Sequence, residues 1–72
     1  MTEAVVVGAE VVAGHDGAAE LLVTVRHENG VTGHTILPAD VGFAVMRAAG
    51  ADNLNDLAGL AWGPIIRRVT DV

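Results

Sequence analysis

The fold is decided by one stretch, residues 21–37, which reads LLVTVRHENGVTGHTIL. Two runs rich in β-branched residues flank the pair Asn29-Gly30. This pair is typical of a two-residue type I′ turn, because both central positions of that turn need left-handed backbone. The stretch therefore predicts a β-hairpin with one strand from about Ala19 to Glu28 and a second strand from Val31 to Leu37.

A two-residue loop also predicts which side chains share a face of the hairpin. It pairs His27 with Thr32, Val25 with His34 and Val23 with Ile36. Successive side chains of a strand point to opposite faces, so His27 and His34 are expected on the same face. Apolar residues occur on both predicted faces, which indicates that both are at least partly covered.

The residues before the hairpin predict a further strand. Residues 4–13 are dense in valine, which favours a strand over a helix. Residues 14–17 then contain an Asp-Gly pair suited to a tight turn, so His15 and Asp16 are expected to be turn residues. The first half of the chain thus predicts a three-stranded antiparallel meander.

The residues after the hairpin predict one helix, one helical turn and one strand. Pro38 and Asp40 favour a helix start, so a helix is expected from about Ala39 to Ala49, with Gly50 as a left-handed cap. The segment 52–59 predicts a short capped turn whose Leu54 and Leu57 point inward and which Gly59 ends. Segment 65–69 is rich in β-branched residues and follows a proline, which predicts a strand at a sheet edge.

The expected fold is a single small α+β domain over residues 1–72, with the element order βββαβ. One helix of about eleven residues covers only one side of a meander. A chain this short buries a small core, and the sequence has no cysteine for a disulfide. We therefore expect an obligate homo-oligomer, most simply a twofold-symmetric homodimer, with sheets packed face to face or joined along their edges.

The composition excludes several classes of chemistry. The chain has no Ser, Cys, Lys, Tyr or Gln, so it lacks the serine and cysteine nucleophiles, the Schiff-base lysine and the thiolate metal site. Its glycines form no phosphate-binding loop. The sequence indicates no catalytic set, no metal site of a known pattern and no cofactor.

The net charge and the hydropathy argue against nucleic acid and membranes as partners. The formal net charge of -5 repels a phosphate backbone, so nucleic acid is an unexpected ligand. No apolar run reaches the roughly 18 residues that span a bilayer, and the first residues have no basic signal region. A small acidic cytoplasmic protein that binds no membrane is the resulting expectation.

Two groups of residues are candidate sites. His27 and His34 could share a metal ion or small ligand, completed by a carboxylate such as Glu10 or by a partner subunit, and aided by Arg26 or Arg67. The alternative is that the histidines are ordinary surface or interface residues and that Arg67 and Arg68 face solvent or protect a strand edge.

Three larger apolar residues are candidate contacts for a protein partner. Phe43 and Met46 lie outside the main apolar stripe of the predicted helix, which favours a contact with another chain. That stripe consists of Val41, Ala44, Val45 and Ala48. Trp62 is either such an anchor or a lid on the small core.

The first hypothesis for function is a non-enzymatic, self-associating module that acts as an accessory or regulatory subunit, alone or with a larger protein partner. The alternatives are a protein that binds a small ligand or metal through His27 and His34, and a small enzyme with an interface histidine and carboxylate as acid and base.

Overall fold

A computed structural model describes residues 4–14 and 16–70, the last of these by its backbone alone. Three antiparallel strands form one sheet in the order β1-β2-β3, followed by a helix, a 3₁₀ turn and a second helix. The elements are β1 Val5–Ala13, β2 Ala19–Arg26, β3 Thr32–Pro38, α1 Ala39–Ala49, the 3₁₀ turn Leu54–Leu57 and α2 Trp62–Thr70. The predicted α+β class and the three-stranded meander are confirmed, whereas His15 lies outside the described residues.

Helix α1 begins and ends where the sequence predicts. Gly50 follows its last residue with φ 68°, a left-handed conformation that glycine adopts without a Cβ clash. The Gly50 N–H donates to the Arg47 carbonyl O at 3.1 Å, and the Ala51 N–H donates to the Met46 carbonyl O at 3.0 Å. These two bonds satisfy carbonyls at the helix end that would otherwise lack a partner.

The predicted capped turn is also confirmed. The Asp56 carboxylate accepts hydrogen bonds from the backbone N–H of Asp52 at 3.1 Å and of Asn53 at 3.3 Å. Leu57 is fully buried and Leu54 is half-buried, so both leucines point inward as expected.

The predicted C-terminal edge strand is wrong, because residues 62–70 form helix α2. The apolar residues Trp62, Ile65, Ile66 and Val69 recur at i, i+3, i+4 and i+7, which is the spacing of one helix face. Pro64 lies in the first turn, where a helix needs no N–H from that residue. Helical spacing and packing outweigh the β-branched composition here.

The hairpin between β2 and β3 has a longer loop than predicted. The His27 N–H donates to the Val31 carbonyl O at 2.8 Å, which leaves Glu28, Asn29 and Gly30 in the loop. Only Gly30 of these has positive φ, 85°, whereas a type I′ turn needs two such residues. The loop is therefore of the three-residue kind that ends in a left-handed glycine.

This extra loop residue shifts the strand register by one. A one-residue shift moves every side chain of a strand to the other face, so the predicted pairing is wrong. The observed pairs are Leu21 with Leu37, Leu22 with Ile36, Val23 with Thr35, Thr24 with His34, Val25 with Gly33 and Arg26 with Thr32.

The core lies on one face of the sheet only. The buried strand residues are Val6 in β1 and the alternating set Leu21, Val23 and Val25 in β2. Val45 of α1, Leu57 of the 3₁₀ turn and Ile65 of α2 are buried in the same cluster. The helices and the turn therefore cover the same side of the sheet.

The N-terminal half of β1 is also covered along its outer edge. The Val6 N–H donates to the Leu60 carbonyl O at 2.9 Å, and the Gly59 N–H donates to the Val6 carbonyl O at 2.8 Å. The Trp62 N–H donates to the Ala4 carbonyl O at 2.8 Å. The segment that enters α2 thus blunts this edge against pairing with another strand.

Candidate functional site

The sheet face opposite the core, called the open face below, carries residues that alternate with the buried ones. In β2 these residues alternate with the buried Leu21, Val23 and Val25. The residues paired with them on β1 and β3 lie on the same face. They are all exposed or half-buried. The open face consists of Val5, Gly8, Glu10 and Val12 from β1, Glu20, Leu22, Thr24 and Arg26 from β2, and Thr32, His34, Ile36 and Pro38 from β3.

Leu22 and Ile36 form an apolar cross-strand pair on the open face. Leu22 lies directly opposite Ile36 on β3 and opposite Glu10 on β1, and Val12 lies on a diagonal to Leu22. Ile36 is 58% exposed although it is a large aliphatic residue. Sequence reasoning placed Leu22 and Ile36 on different faces, and the corrected register is what brings them together.

The two ends of the open face carry opposite charges. Arg26 lies at the hairpin end of β2, beside Thr32. Glu20 lies at the other end of the same strand, beside Val12, and Glu10 lies one row closer to the middle. Arg26 and Glu20 are six residues apart along β2, which corresponds to about 20 Å at roughly 3.4 Å per residue.

His34 lies on the open face and makes a local hydrogen bond. Its Nδ1 is 3.0 Å from the Thr24 Oγ1 on the neighbouring strand. This cross-strand contact fixes the imidazole ring beside the apolar pair Leu22 and Ile36.

His27 lies on the other side of the sheet, so the two histidines do not share a face. Its Nε2 is 3.5 Å from the position that a Cβ on Gly33 would occupy, and Gly33 is opposite the buried Val25. The predicted shared face of His27 and His34 is therefore wrong, for the same register reason. In the described parts of the chain, no three His, Cys, Asp or Glu residues are grouped to hold a metal ion.

The two other cationic candidates lie on α2, away from both histidines. Arg67 is exposed and has an interaction of its own. The Arg68 Nη1 donates to the Ala48 carbonyl O of α1 at 3.1 Å, which ties the two helices together. Arg68 therefore has a helix-packing role.

The three predicted partner contacts have different environments. Trp62 is half-buried and packs against the core, which favours the interpretation that it covers the core over a role as a partner anchor. Met46 is half-buried against the same core, whereas Phe43 is 70% exposed. Phe43 and Met46 line one wall of an apolar groove of about 330 Å³ on the helix side of the sheet.

Comparison with known proteins identifies no relative of this chain. No family model, curated protein or solved structure matches the chain. Across residues 4–14 and 16–70, neither helix is long and apolar enough to span a lipid bilayer.

Proposed function

We propose that the protein is a self-associating module whose open face binds the open face of a second copy. In this role it acts as an accessory or regulatory subunit that brings two copies, and whatever they are attached to, into one assembly. One observation carries the proposal: α1, the 3₁₀ turn and α2 all pack on one side of the sheet, while Leu22 and Ile36 lie on the other.

The one-sided packing favours a partner because antiparallel sheets with one solvated face normally alternate apolar and polar residues. Here the uncovered face carries the cross-strand aliphatic pair Leu22 and Ile36, with Val12 on a diagonal, beside the polar residues Glu10, Thr24 and His34. Two such faces packed together at about 10 Å form the core of a β-sandwich.

The charges favour a second copy of this chain with its strands reversed. Consider a twofold axis that lies in the plane between the two sheets and runs perpendicular to the strands. This axis brings Arg26 close to the partner's Glu20, and symmetry repeats the same pair with the two copies exchanged. An axis parallel to the strands would instead place two Arg26 residues together. Charge complementarity therefore selects the reversed arrangement.

The size of the open face limits how tight the dimer is. Three strands spaced about 4.8 Å apart and eight residues of β2 define a footprint of roughly 14 Å by 27 Å. The two footprints sum to roughly 750 Å², below the about 1,200 Å² of standard stable interfaces. The monomer also has a hydrophobic core of its own, so it does not need the partner to fold. We therefore expect a dimer that dissociates on dilution, which is weaker than the obligate oligomer that the composition predicts.

Sedimentation velocity tests this proposal with three variants, over about 5 to 500 µM, where small interfaces associate and dissociate. Ile36→Asp places a charge in the middle of the open face, and Leu22→Thr removes apolar area on the central strand. Phe43→Asp is the matched control, because it changes an exposed apolar residue on the other side of the sheet. Circular dichroism verifies that each variant is folded.

We expect the wild type and Phe43→Asp to dimerise with rising concentration, and Ile36→Asp and Leu22→Thr to remain more monomeric. A dimer joined along the edge strand β3 would not contact Leu22 on the central strand. Face packing is therefore overturned if Ile36→Asp loses the dimer and Leu22→Thr keeps it. A wild type that stays monomeric throughout, or dimer loss in Phe43→Asp only, also overturns the proposal.

A further inference from the structure

A second surface lies on the helix side of the sheet, at the end of β1. The apolar groove of about 330 Å³ is open to solvent and is lined by α1, the ends of β1 and β2, and the 3₁₀ turn. Its walls include Val11, Leu21, Phe43, Met46 and Leu54. Its volume falls at the lower end of the roughly 300–1,000 Å³ typical of small-molecule sites.

Small residues create the groove. A Cβ added to Gly42 would lie 3.2 Å from the Leu21 Cβ, so α1 rests directly on β2 at that point. Ala19, Ala39 and Ala51 line the adjacent space, where larger side chains would fill it. The groove is thus a packing gap between elements that the small-residue composition of the chain leaves open.

Two large apolar side chains at the groove are exposed to solvent. Val11 is 62% exposed and Phe43 is 70% exposed. Both lie on the side of the sheet away from the open face, so the proposed dimer does not cover them. A ligand that fills the groove would remove this apolar area from water.

Negative charge lies at one corner of the groove. Asp52 is the charged residue among those lining it. The Asp56 carboxylate is at the same corner, because it accepts a hydrogen bond from the Asp52 N–H. The mouth of the groove therefore favours a cation over an anion.

We propose that this groove binds a small amphiphilic amine, with the apolar ring or chain among Val11, Phe43 and Met46 and the ammonium group beside Asp52. The volume favours a small molecule over a helix or a strand from another protein. The Met46 thioether and the Phe43 ring both make favourable contacts with an aromatic ligand.

Nuclear magnetic resonance titration of the labelled full chain tests this inference with three probes that share one skeleton. The probes are 4-phenylbutylamine, 4-phenylbutanol and 4-phenylbutyrate, which are cationic, neutral and anionic at neutral pH. We expect saturable amide shifts at the groove residues, with a Kd for the amine on the order of 1 mM for a ligand of this size. The expected affinity order is amine, then alcohol, then carboxylate.

Two variants locate the site and its charge. Ala19→Phe fills the groove from an exposed strand position and is expected to abolish the groove shifts. Asp52→Asn is expected to weaken the amine about two- to five-fold, as for an exposed ion pair, and to leave the alcohol unchanged. Glu10→Gln is the matched control, because it removes the same charge on the opposite face of the sheet.

Equal affinity for the three probes, shifts that centre on the open face, or no saturation at 10-fold above the expected Kd would each overturn the inference. Loss of amine binding in Glu10→Gln to the same degree as in Asp52→Asn would show a nonspecific charge effect and would also overturn it. These readouts are independent of dimerisation, which is followed separately by sedimentation.

Discussion

The two faces of the sheet contain similar aliphatic residues in very different surroundings. On the core face Val23 is fully buried beneath the helices, whereas on the open face Ile36 is 58% exposed. The two helices therefore cover one face of the sheet, whereas apolar side chains lie on both faces. The difference indicates that apolar composition alone does not tell which residues stabilise the monomer and which are left for another contact.

The adjacent residues Leu21 and Leu22 give the sharpest test of this comparison, because they are the same residue type on opposite faces. Leu21 is 5% exposed in the core, whereas Leu22 is half-buried on the open face. We expect Leu21→Ala to lower the free energy of unfolding by about 2–5 kcal/mol and Leu22→Ala by about 1 kcal/mol or less. Urea denaturation of dilute, monomeric protein measures both, and equal losses would contradict the assignment of the faces.

The hairpin loop sets the register that assigns residues to the faces, and Gly30 is its left-handed position. Gly30→Ala introduces a Cβ at φ 85° and is expected to cost about 1–2 kcal/mol of unfolding free energy. Gly8→Ala is the control, because a Cβ there meets no atom within 4 Å and the backbone is not left-handed. We expect the control to change stability by no more than about 0.5 kcal/mol. A neutral Gly30→Ala would argue against this loop geometry.

The charged ends of the open face give the smallest expected effect. Arg26→Glu is expected to raise the dimer Kd about two- to five-fold, since exposed ion pairs contribute little, and Arg26→Glu with Glu20→Arg is expected to restore it. Arg47→Glu on α1 changes net charge equally and serves as the control. Sedimentation measures each Kd, and failure of the double variant to recover would exclude the reversed orientation.

Much of the fold follows from local sequence chemistry. The bounds of α1 are predictable because Pro38, Asp40 and Gly50 act through neighbouring backbone groups. The capped 3₁₀ turn is predictable for the same reason, since Asp56 bonds to backbone only three and four residues away. Such short-range signals do not depend on what the chain packs against.

The errors arise where two local signals conflict. In segment 62–70 the β-branched residues favour a strand, but their spacing places them on one helix face and Pro64 suits a first turn. At Asn29-Gly30 the dipeptide fits a two-residue loop and also a three-residue loop with glycine last. That second ambiguity alone misplaces His34 and Ile36, and with them the candidate site.

An uncovered sheet face was predicted from the single helix, but the residues that form it and the groove could not be predicted, because both depend on packing at long range. The groove exists where α1 meets β2 at Gly42, next to small lining residues. The open face exists because α2 joins α1 on the same side of the sheet. No local pattern states on which side a helix will pack.

The most direct test of the central claim is an isotope-filtered nuclear Overhauser measurement on an equal mixture of labelled and unlabelled chains at high concentration. It detects only contacts between copies. We expect intermolecular signals from the methyl groups of Leu22 and Ile36, and none from Leu21 or Val23. Intermolecular signals confined to Phe43 and Met46, or none at all, would contradict the account.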